Sequence, residues 1–150
     1  FTEWALRPDS GGAGKTRGGL GAVYELELLE EQADIFFFGE RGRYAPPGVL
    51  GGSSAAKTVF RYEQDHGFET PELVSKLVGK SIKRGQRVRI ESPGGGGYGN
   101  PAERALEAVL EDIDLGYMTP SCAERDYGVV LCEDGTLDEA ATKQARKELS

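Results

Sequence analysis

Hydrophobic and polar residues alternate over much of the front of the chain, with the period of two that is typical of β-strands. In residues 22–28 the even-numbered side chains alternate with Val23, Glu25 and Glu27, which predicts a half-buried strand. Residues 35–38, Ile-Phe-Phe-Phe, predict a second strand, and the polar residues 30–32 would join the two as a hairpin. Because a one-sided strand needs fewer apolar side chains, the adjacent phenylalanines indicate that both of its faces are covered.

Three later segments also favour strands, and turn residues separate them. The segments are residues 58–62, 74–82 and 87–91, with turns over 64–67 and 83–86. In the last strand the apolar Val88 and Ile90 would face one side and the charged residues the other. Residues 39–52 are rich in Gly, Pro, Arg and Tyr, which predicts an irregular segment.

After residue 100 the pattern changes to that of a helix. Asn100 is expected to cap a helix that has Pro101 in its first turn and Glu103 as the capping-box residue. Apolar side chains then recur at helical spacing until Gly116, where the helix should end.

The rest of the chain predicts two more helices. A short one is expected over residues 119–128, followed by a short apolar strand over 129–132. A last helix, capped by Thr136 with Glu139, would run through Leu149.

These elements predict an α+β fold. Its main part would be a barrel-like or sandwich-like β body with glycine-rich irregular or polyproline-II-like segments, followed by a C-terminal helical appendage. We expect residues 1–100 to form a Gly-rich β domain and residues 101–150 an acidic helical appendage, within one structural unit. Since residue 1 is Phe rather than Met, we expect the chain to be a fragment of a longer protein.

Charge is distributed unevenly along the chain. Residues 1–100 carry 13 basic and 13 acidic side chains, so the net charge of −7 lies in residues 101–150. A balanced front and an acidic tail argue against nucleic acid or an anionic membrane as a partner. The acidic residues of the tail are expected to form a solvated helix face. No apolar segment reaches the roughly 20 residues of a membrane span, and the cytoplasm is the expected location.

Glycine is the most informative residue type in this chain, with 22 copies concentrated in clusters. The first cluster contains Gly14-Lys15-Thr16, which is the end of the phosphate-binding P-loop motif. That motif needs a glycine where this chain has Asp9, and it should open a helix, whereas Arg17-Gly18-Gly19 follows here. A nucleotide-binding P-loop is therefore not expected.

Two interpretations of the glycines remain. In one, they allow extended segments to pack closely together; in the other, their N–H groups form an anion-binding nest. We favour close packing, and we expect Lys15, Arg17 and Arg43 to contact an anion. The structural glycines are expected to be Gly11, Gly12, Gly14, Gly18, Gly19, Gly94, Gly95, Gly96, Gly97 and Gly99.

Other reactive side chains do not form a complete catalytic set. His66 lies in a predicted charged turn, and one histidine cannot build a metal site, so no metal is expected here. Cys122 lies near the start of a predicted helix, which could lower its pKa, but an ordinary thiol is the expected state. Catalytic residues therefore stay unknown.

Two groups of aromatic and basic residues leave alternatives open. Arg41, Arg43 and Tyr44 could touch a ligand or could form a solvated face of the irregular loop. Trp4 and Tyr98 are expected to be core or interface aromatics rather than stacking platforms.

Several motifs in a fixed order resemble the C-terminal part of the hydantoinase B / 5-oxoprolinase family. They span about residues 5–131, and the paired glycine motifs are far more specific than Gly-Lys-Thr alone. Residues 40–43 and 53–57 depart from the usual pattern of the family, which leaves the substrate open. The matching segments are Leu6–Gly21, Arg41–Gly48 with Gly51 and Gly52, Ser75 with Lys76, Gly85–Pro101 and Tyr127–Leu131.

The resemblance implies an enzyme. Members of this family are ATP-dependent and open cyclic amides such as hydantoins or 5-oxoproline, or carboxylate ketones in the acetone and acetophenone carboxylase branch. A partner subunit or domain with an actin-like fold, hydantoinase A, binds the ATP. The B part acts on the phosphorylated substrate and carries its metal ligands N-terminal to this region. This segment is thus expected to bind no cofactor, with ATP and a divalent metal elsewhere in the complex.

Two functional hypotheses follow from the resemblance. In the first, the chain is the C-terminal region of a hydantoinase B-like subunit and serves as a scaffold beside the active site, inactive alone. Lys15, Arg17 and Arg43 would then contact a phosphorylated intermediate. In the second, it is part of an ATP-dependent ketone carboxylase complex, or a small structural subunit in one. The expected partners of the chain are the hydantoinase A-like subunit or domain and the rest of the B subunit.

Overall fold

The computed structural model describes residues 1–149, which form seven strands, one short 3₁₀ helix and three α-helices. The α+β class with a mainly β front is therefore confirmed. The strands are β1 (Glu3–Arg7), β2 (Gly21–Glu27), β3 (Gln32–Phe38), β4 (Val59–Gln64), β5 (Gly67–Glu69), β6 (Lys76–Lys83) and β7 (Arg87–Glu91). The 3₁₀ helix spans Pro101–Glu103, and the α-helices are α1 (Leu106–Asp114), α2 (Pro120–Tyr127) and α3 (Glu139–Leu149).

Five strands form one antiparallel sheet in the order β1-β2-β7-β4-β5, and β3 with β6 forms a separate two-stranded ribbon. The central strand β7 pairs with both neighbours, so that Ile90 lies opposite Tyr24 on one side and Phe60 on the other. The expected barrel or sandwich stays a prediction.

The predicted hairpin of β2 and β3 is wrong. β3 pairs instead with β6, and Gln32 lies opposite Lys83 at one end of that ribbon. β2 is enclosed on both sides, by β7 and by β1, a strand that the sequence pattern did not predict. The polar segment after β2 therefore carries the chain from the sheet to the ribbon instead of folding it back on itself.

The more deeply buried face of β2 is the less apolar of its two faces. Val23 and Glu25 are buried, whereas the side chains at even positions are only half-buried. A glutamate is tolerated there because Arg87 and Arg89 of the neighbouring strand donate to its carboxylate at 3.1 and 3.3 Å. Ion pairing thus compensates for the cost of burying the charge.

The phenylalanines of β3 divide between the interior and the surface. Phe37 is buried and stacks on Phe60, with ring centroids 4.8 Å apart. Phe36 and Phe38 are 54% and 74% exposed, so the prediction that both faces of this strand are covered is wrong for the described residues. Trp4 is likewise 67% exposed, on the edge strand.

Two apolar clusters hold the fold together. One lies between the ribbon and the sheet, and its buried members are Phe37, Phe60, Tyr62, Ile82 and Val88. The other joins the helices to the glycine-rich front through Ala13, Val109, Met118, Cys122, Ala123, Tyr127 and Val129. Because Ala13 belongs to the second cluster, the helical tail packs directly on the first glycine motif.

The helix boundaries differ from the prediction in detail. Asn100 does act as a cap, and its Oδ1 accepts from Ala102 N at 2.9 Å, but it caps only the 3₁₀ helix. α1 begins later, at Leu106, and the chain leaves it through Gly116 as predicted, with φ of 69°.

The region after α1 contains two further corrections. α2 begins at Pro120 behind the cap Thr119 and ends at Gly128, as predicted. The strand predicted over 129–132 is wrong, since only an isolated bridge pairs Leu131 with Leu137. Asp138 rather than Thr136 caps α3, because its Oδ1 accepts from Ala141 N at 2.9 Å.

Candidate functional site

The glycine motifs lie against each other in a layer of extended segments, the glycine layer, formed by residues 10–19, 47–56 and 93–99. Gly12 N donates to Gly95 O at 2.9 Å, and Gly97 N donates to Ser53 O at 3.0 Å. Ser53 N in turn donates to Ala13 O at 2.7 Å, so all three segments are joined by backbone hydrogen bonds. Segments far apart in sequence thus satisfy each other's backbone polar groups.

Glycine is required in this layer because the backbones approach too closely for a side chain. A Cβ added at Gly18 would lie 1.8 Å from Gly95 O, and one added at Gly97 would lie 1.9 Å from Ala13 O. An added Cβ would also lie 2.5 Å or less from a backbone atom at five other positions: Gly11, Gly12, Gly14, Gly94 and Gly96. Gly19 differs from them, since a Cβ there would have nothing within 4 Å.

Lys15 lies at the surface of the layer. Its Nζ pairs with Glu103 at 3.0 Å, and both side chains are more than half exposed. The segment that follows Lys15 leads into the strand β2 and not into a helix, so the frame of a P-loop is missing.

Arg17 forms an ion pair with a carboxylate of the helical tail. Its Nε and Nη2 donate to the two oxygens of Asp112 at 2.9 and 3.0 Å, and Arg104 Nη2 adds a third contact at 2.8 Å. Asp112 is buried, so the expectation of a fully solvated acidic face is wrong at this residue. Within the chain, the guanidinium of Arg17 is thus already paired with a carboxylate. A contact of Arg17 with a bound anion stays a prediction.

Asp9, which occupies the place of a P-loop glycine, also has a structural partner in the tail. Its two carboxylate oxygens accept from Thr119 N and from Thr119 Oγ1, both at 2.8 Å. Thr119 Oγ1 then accepts from Cys122 N at 3.2 Å, which completes the cap of α2. Local sequence patterns predict neither tail contact, because the partners lie 95 and 110 positions apart.

The thiol of Cys122 does not have the lowered pKa that its position near a helix start suggested. Burial, followed by the charge of Asp126, raises the pKa of this thiol to about 12. A thiol with that pKa carries almost no thiolate at neutral pH. Cys122 is therefore a packing residue of the helical cluster, as expected for an ordinary thiol.

Arg43, the third predicted anion contact, lines an open cavity of about 570 Å³ between residues 40–44 and 73–76. Arg41 and Lys76 also line it, and Arg43 lies over the ring of Tyr44 at 6.0 Å. Arg41 and Tyr44 were predicted as possible ligand contacts, whereas Lys76 joins them only in the folded chain. The partners of Lys15 and Arg17 lie elsewhere, so the three predicted contacts do not share this cavity.

Residues 1–149 contain no group of three or more His, Cys, Asp or Glu side chains arranged to hold a metal ion. Among the helices of the same range, none combines the length and apolar character needed to cross a membrane.

Comparison with known proteins places these features in context. The sequence model of the Hydantoinase B/oxoprolinase family matches residues 1–101. The chain is 36% identical over 152 residues to the caprolactamase subunit beta of Pseudomonas jessenii, covering 95% of this chain and 25% of that subunit. It is also 34% identical to a 5-oxoprolinase of Pestalotiopsis fici, covering 77% of this chain and 9% of that protein.

Two solved structures superpose on almost the whole of this chain. The ATP-dependent caprolactamase from Pseudomonas jessenii superposes with a TM-score of 0.80 at 34% identity, covering 97% of this chain and 25% of that one. A nucleotide-free acetone carboxylase superposes with a TM-score of 0.82 at 24% identity, covering 97% and 24%, which shows a shared fold. The chain thus spans about a quarter of the length of the caprolactamase subunit.

Proposed function

Because this chain belongs to the hydantoinase B/oxoprolinase family, we propose that it is the C-terminal region of a B-type subunit of an ATP-dependent cyclic-amide hydrolase. The observation that carries the proposal is the 36% identity to the caprolactamase subunit over 95% of this chain. A hydantoin or 5-oxoproline ring is the proposed substrate. ATP and a divalent metal would bind elsewhere in the complex.

Within such a subunit, the chain would act as a scaffold beside the active site. Two features support this role: the side-chain-free packing of the glycine layer and the buried contacts of Asp112 with two arginines. Both make the segment rigid, and a rigid support is what positions the reacting groups of a neighbouring region. Lys15, Arg17 and Arg43 are the proposed anion contacts, and the segment alone would be inactive.

The proposed organisation follows from the same contacts. Residues 1–100 would be the Gly-rich β domain and residues 101–150 the helical appendage, locked together by the pairs Arg17–Asp112 and Asp9–Thr119. The proposed partners are a hydantoinase A-like subunit, which would bind ATP, and the rest of the B subunit. The proposed location of this complex is the cytoplasm.

The test is an assay of the full-length complex with ATP and a panel of cyclic amides: hydantoin, 5-oxoproline and caprolactam. We expect ring opening coupled to ATP cleavage for at least one of them, and none when ATP is omitted. Absence of ATP-dependent ring opening across the panel would remove this proposal.

A second candidate function is an ATP-dependent ketone carboxylase, which the fold shared with acetone carboxylase favours. The same preparation, supplied with ATP, acetone or acetophenone and labelled bicarbonate, distinguishes the two functions. Label in an acid-stable product without ring opening would favour the carboxylase.

A further inference from the structure

The cavity beside Arg43 is lined by three basic side chains that have no acidic partner. Within residues 1–149, neither Arg41, Arg43 nor Lys76 lies within 4.0 Å of a carboxylate, and none donates a side-chain hydrogen bond. The other arginines of the sheet and of the glycine layer are paired, as Arg17 and Arg89 illustrate. Cations that line a cavity, form no ion pair and outnumber its acidic side chains are suited to an anionic ligand.

We infer that this cavity binds a phosphate group, either as free phosphate or as part of a phosphorylated small molecule. Arginine presents several donors in a fixed planar geometry that matches phosphate oxygens, and lysine adds a mobile point charge. Arg41, Arg43 and Lys76 together provide this combination on two chain segments that line one cavity.

The balance of charge selects phosphate over a carboxylate. Three cations and one acid, Glu40, line the cavity, which leaves two positive charges in excess. A phosphate monoester carries about −1.5 to −2 charges at pH 7, whereas a carboxylate carries one. A phosphate group therefore neutralises the cavity and a single carboxylate does not.

Each of the two segments that line the cavity contains a residue with a backbone conformation that is rare outside glycine. Arg41 and the β-branched Val74 have φ of 63° and 61°, in the left-handed region that is unfavourable for residues with a side chain. Hydrogen bonds hold the two segments together: Gly39 N donates to Ser75 O at 2.9 Å, and Ser75 Oγ donates to Gly39 O at 3.0 Å. At Gly42 an added Cβ would lie 2.8 Å from Ser75 Cβ. The cations are thus presented by a preformed frame.

The size of the cavity leaves room for more than the phosphate. A volume of about 570 Å³ is in the range of small-molecule sites. Tyr44 and Leu73 line the same space and offer apolar surface to an organic group. The inference deepens the proposed function, on which it rests for the anion contact of Arg43, since that function involves a phosphorylated intermediate.

The test uses the full-length complex without nucleotide, titrated by calorimetry with inorganic phosphate, phenyl phosphate and acetate. The variant Arg43→Gln with Lys76→Gln removes the excess charge of the cavity. The matched control is Arg84→Gln, because Arg84 is an exposed arginine just beyond the opposite end of β6.

We expect the double variant to weaken binding of both phosphates by at least about tenfold, and the control to leave it unchanged. Tighter binding of phenyl phosphate than of inorganic phosphate would identify a phosphorylated organic molecule as the ligand, and the reverse would identify free phosphate. Absence of phosphate binding, acetate binding as tight as phosphate, or equal weakening in the control would overturn the inference.

A measurement on the unmodified complex makes the test independent of how the variants fold. Inorganic phosphate should slow the acetylation of Lys76, measured by mass spectrometry, and leave that of Lys83 on the same strand unchanged. Unchanged acetylation of Lys76 would contradict the site. Phosphate binding in a complex that opens no cyclic amide would contradict only the proposed function. Ring opening without phosphate binding would contradict only this inference.

Discussion

Arg17 and Asp112 lie 95 positions apart in sequence and meet in a two-point ion pair, with Nε–Oδ2 of 2.9 Å and Nη2–Oδ1 of 3.0 Å. Both side chains are largely buried, and Arg104 contacts the same carboxylate. The pair connects the first glycine motif to α1. One carboxylate therefore compensates two guanidinium groups where the helical tail meets the glycine layer.

Substitution Asp112→Asn should destabilise the fold strongly. Removing one partner of a buried ion pair costs about 3–5 kcal/mol, since the remaining charges stay buried without compensation. The measurement is the free energy of unfolding in denaturant. Asp114→Asn is the matched control, because it makes the same change at an exposed position of α1 and should leave stability nearly unchanged. Equal effects of the two substitutions would contradict a special role for the buried pair.

Alanine at Gly18 should disrupt the glycine layer, whereas alanine at Gly19 should not. The new Cβ of Gly18→Ala would lie 1.8 Å from Gly95 O, so the backbone must move, and we expect a loss of about 3 kcal/mol, the upper end of the usual cost of overpacking. Gly19→Ala meets open space and should change stability by no more than about 1 kcal/mol. Thermal unfolding of the two variants side by side checks this pair. A stable Gly18→Ala protein would show that the layer is less closely packed than described.

Substitution Lys15→Ala in the full-length enzyme should leave ATP binding unchanged. Its Nζ pairs with the exposed Glu103, and no helix follows to complete a phosphate-binding loop. Stability should fall by no more than about 1 kcal/mol, as for other exposed ion pairs. The measurement is the Kd of ATP for the two proteins. A large loss of affinity would mean that this lysine contacts the nucleotide after all.

The two cysteines should differ in their reaction with iodoacetamide. Cys132 is exposed and Cys122 is buried, with the pKa of the Cys122 thiol raised to about 12. At pH 8 we expect iodoacetamide to alkylate Cys132 alone. Mass spectrometry of the peptides measures the alkylation of each thiol. Comparable rates at the two thiols would contradict the burial of Cys122.

The same raised pKa predicts a loss of stability at alkaline pH. The unfolded thiol loses its proton near pH 9, whereas folding holds the Cys122 proton until about pH 12. The contribution is therefore fully present below pH 9 and is lost progressively up to about pH 12. Cys122→Ala should flatten this part of the stability curve, although the smaller side chain lowers stability at every pH. An identical alkaline slope in the variant would exclude the thiol as its cause.

Strand positions could be predicted from the chain, but strand partners and buried faces could not. The alternation in β2 located the strand, yet Glu25 is buried because Arg87 and Arg89 lie on the adjacent strand. The apolar run of β3 indicated a strand as well. Its pairing with β6 depends on which edge is free, and local periodicity contains no information about that.

The candidate site shows the same division. The glycine motifs and Arg43 could be identified from composition and from the resemblance to a family. The charge environment of each cation could not, because Asp112 and Glu103 lie far from Arg17 and Lys15 in sequence. Lys76 was not predicted as a ligand contact either, because only the fold brings it to the cavity that Arg43 lines.

By itself the sequence determined the family, the α+β class, most strand and helix positions, and the rejection of a P-loop. These features rest on local spacing, on turn and cap residues, and on motifs read along the chain. The tertiary structure alone decided which segments pair, why the glycines must lack side chains, and which cations stay unpaired. Each of these depends on contacts between residues distant in sequence, where backbone approach and partner charges are properties of the fold.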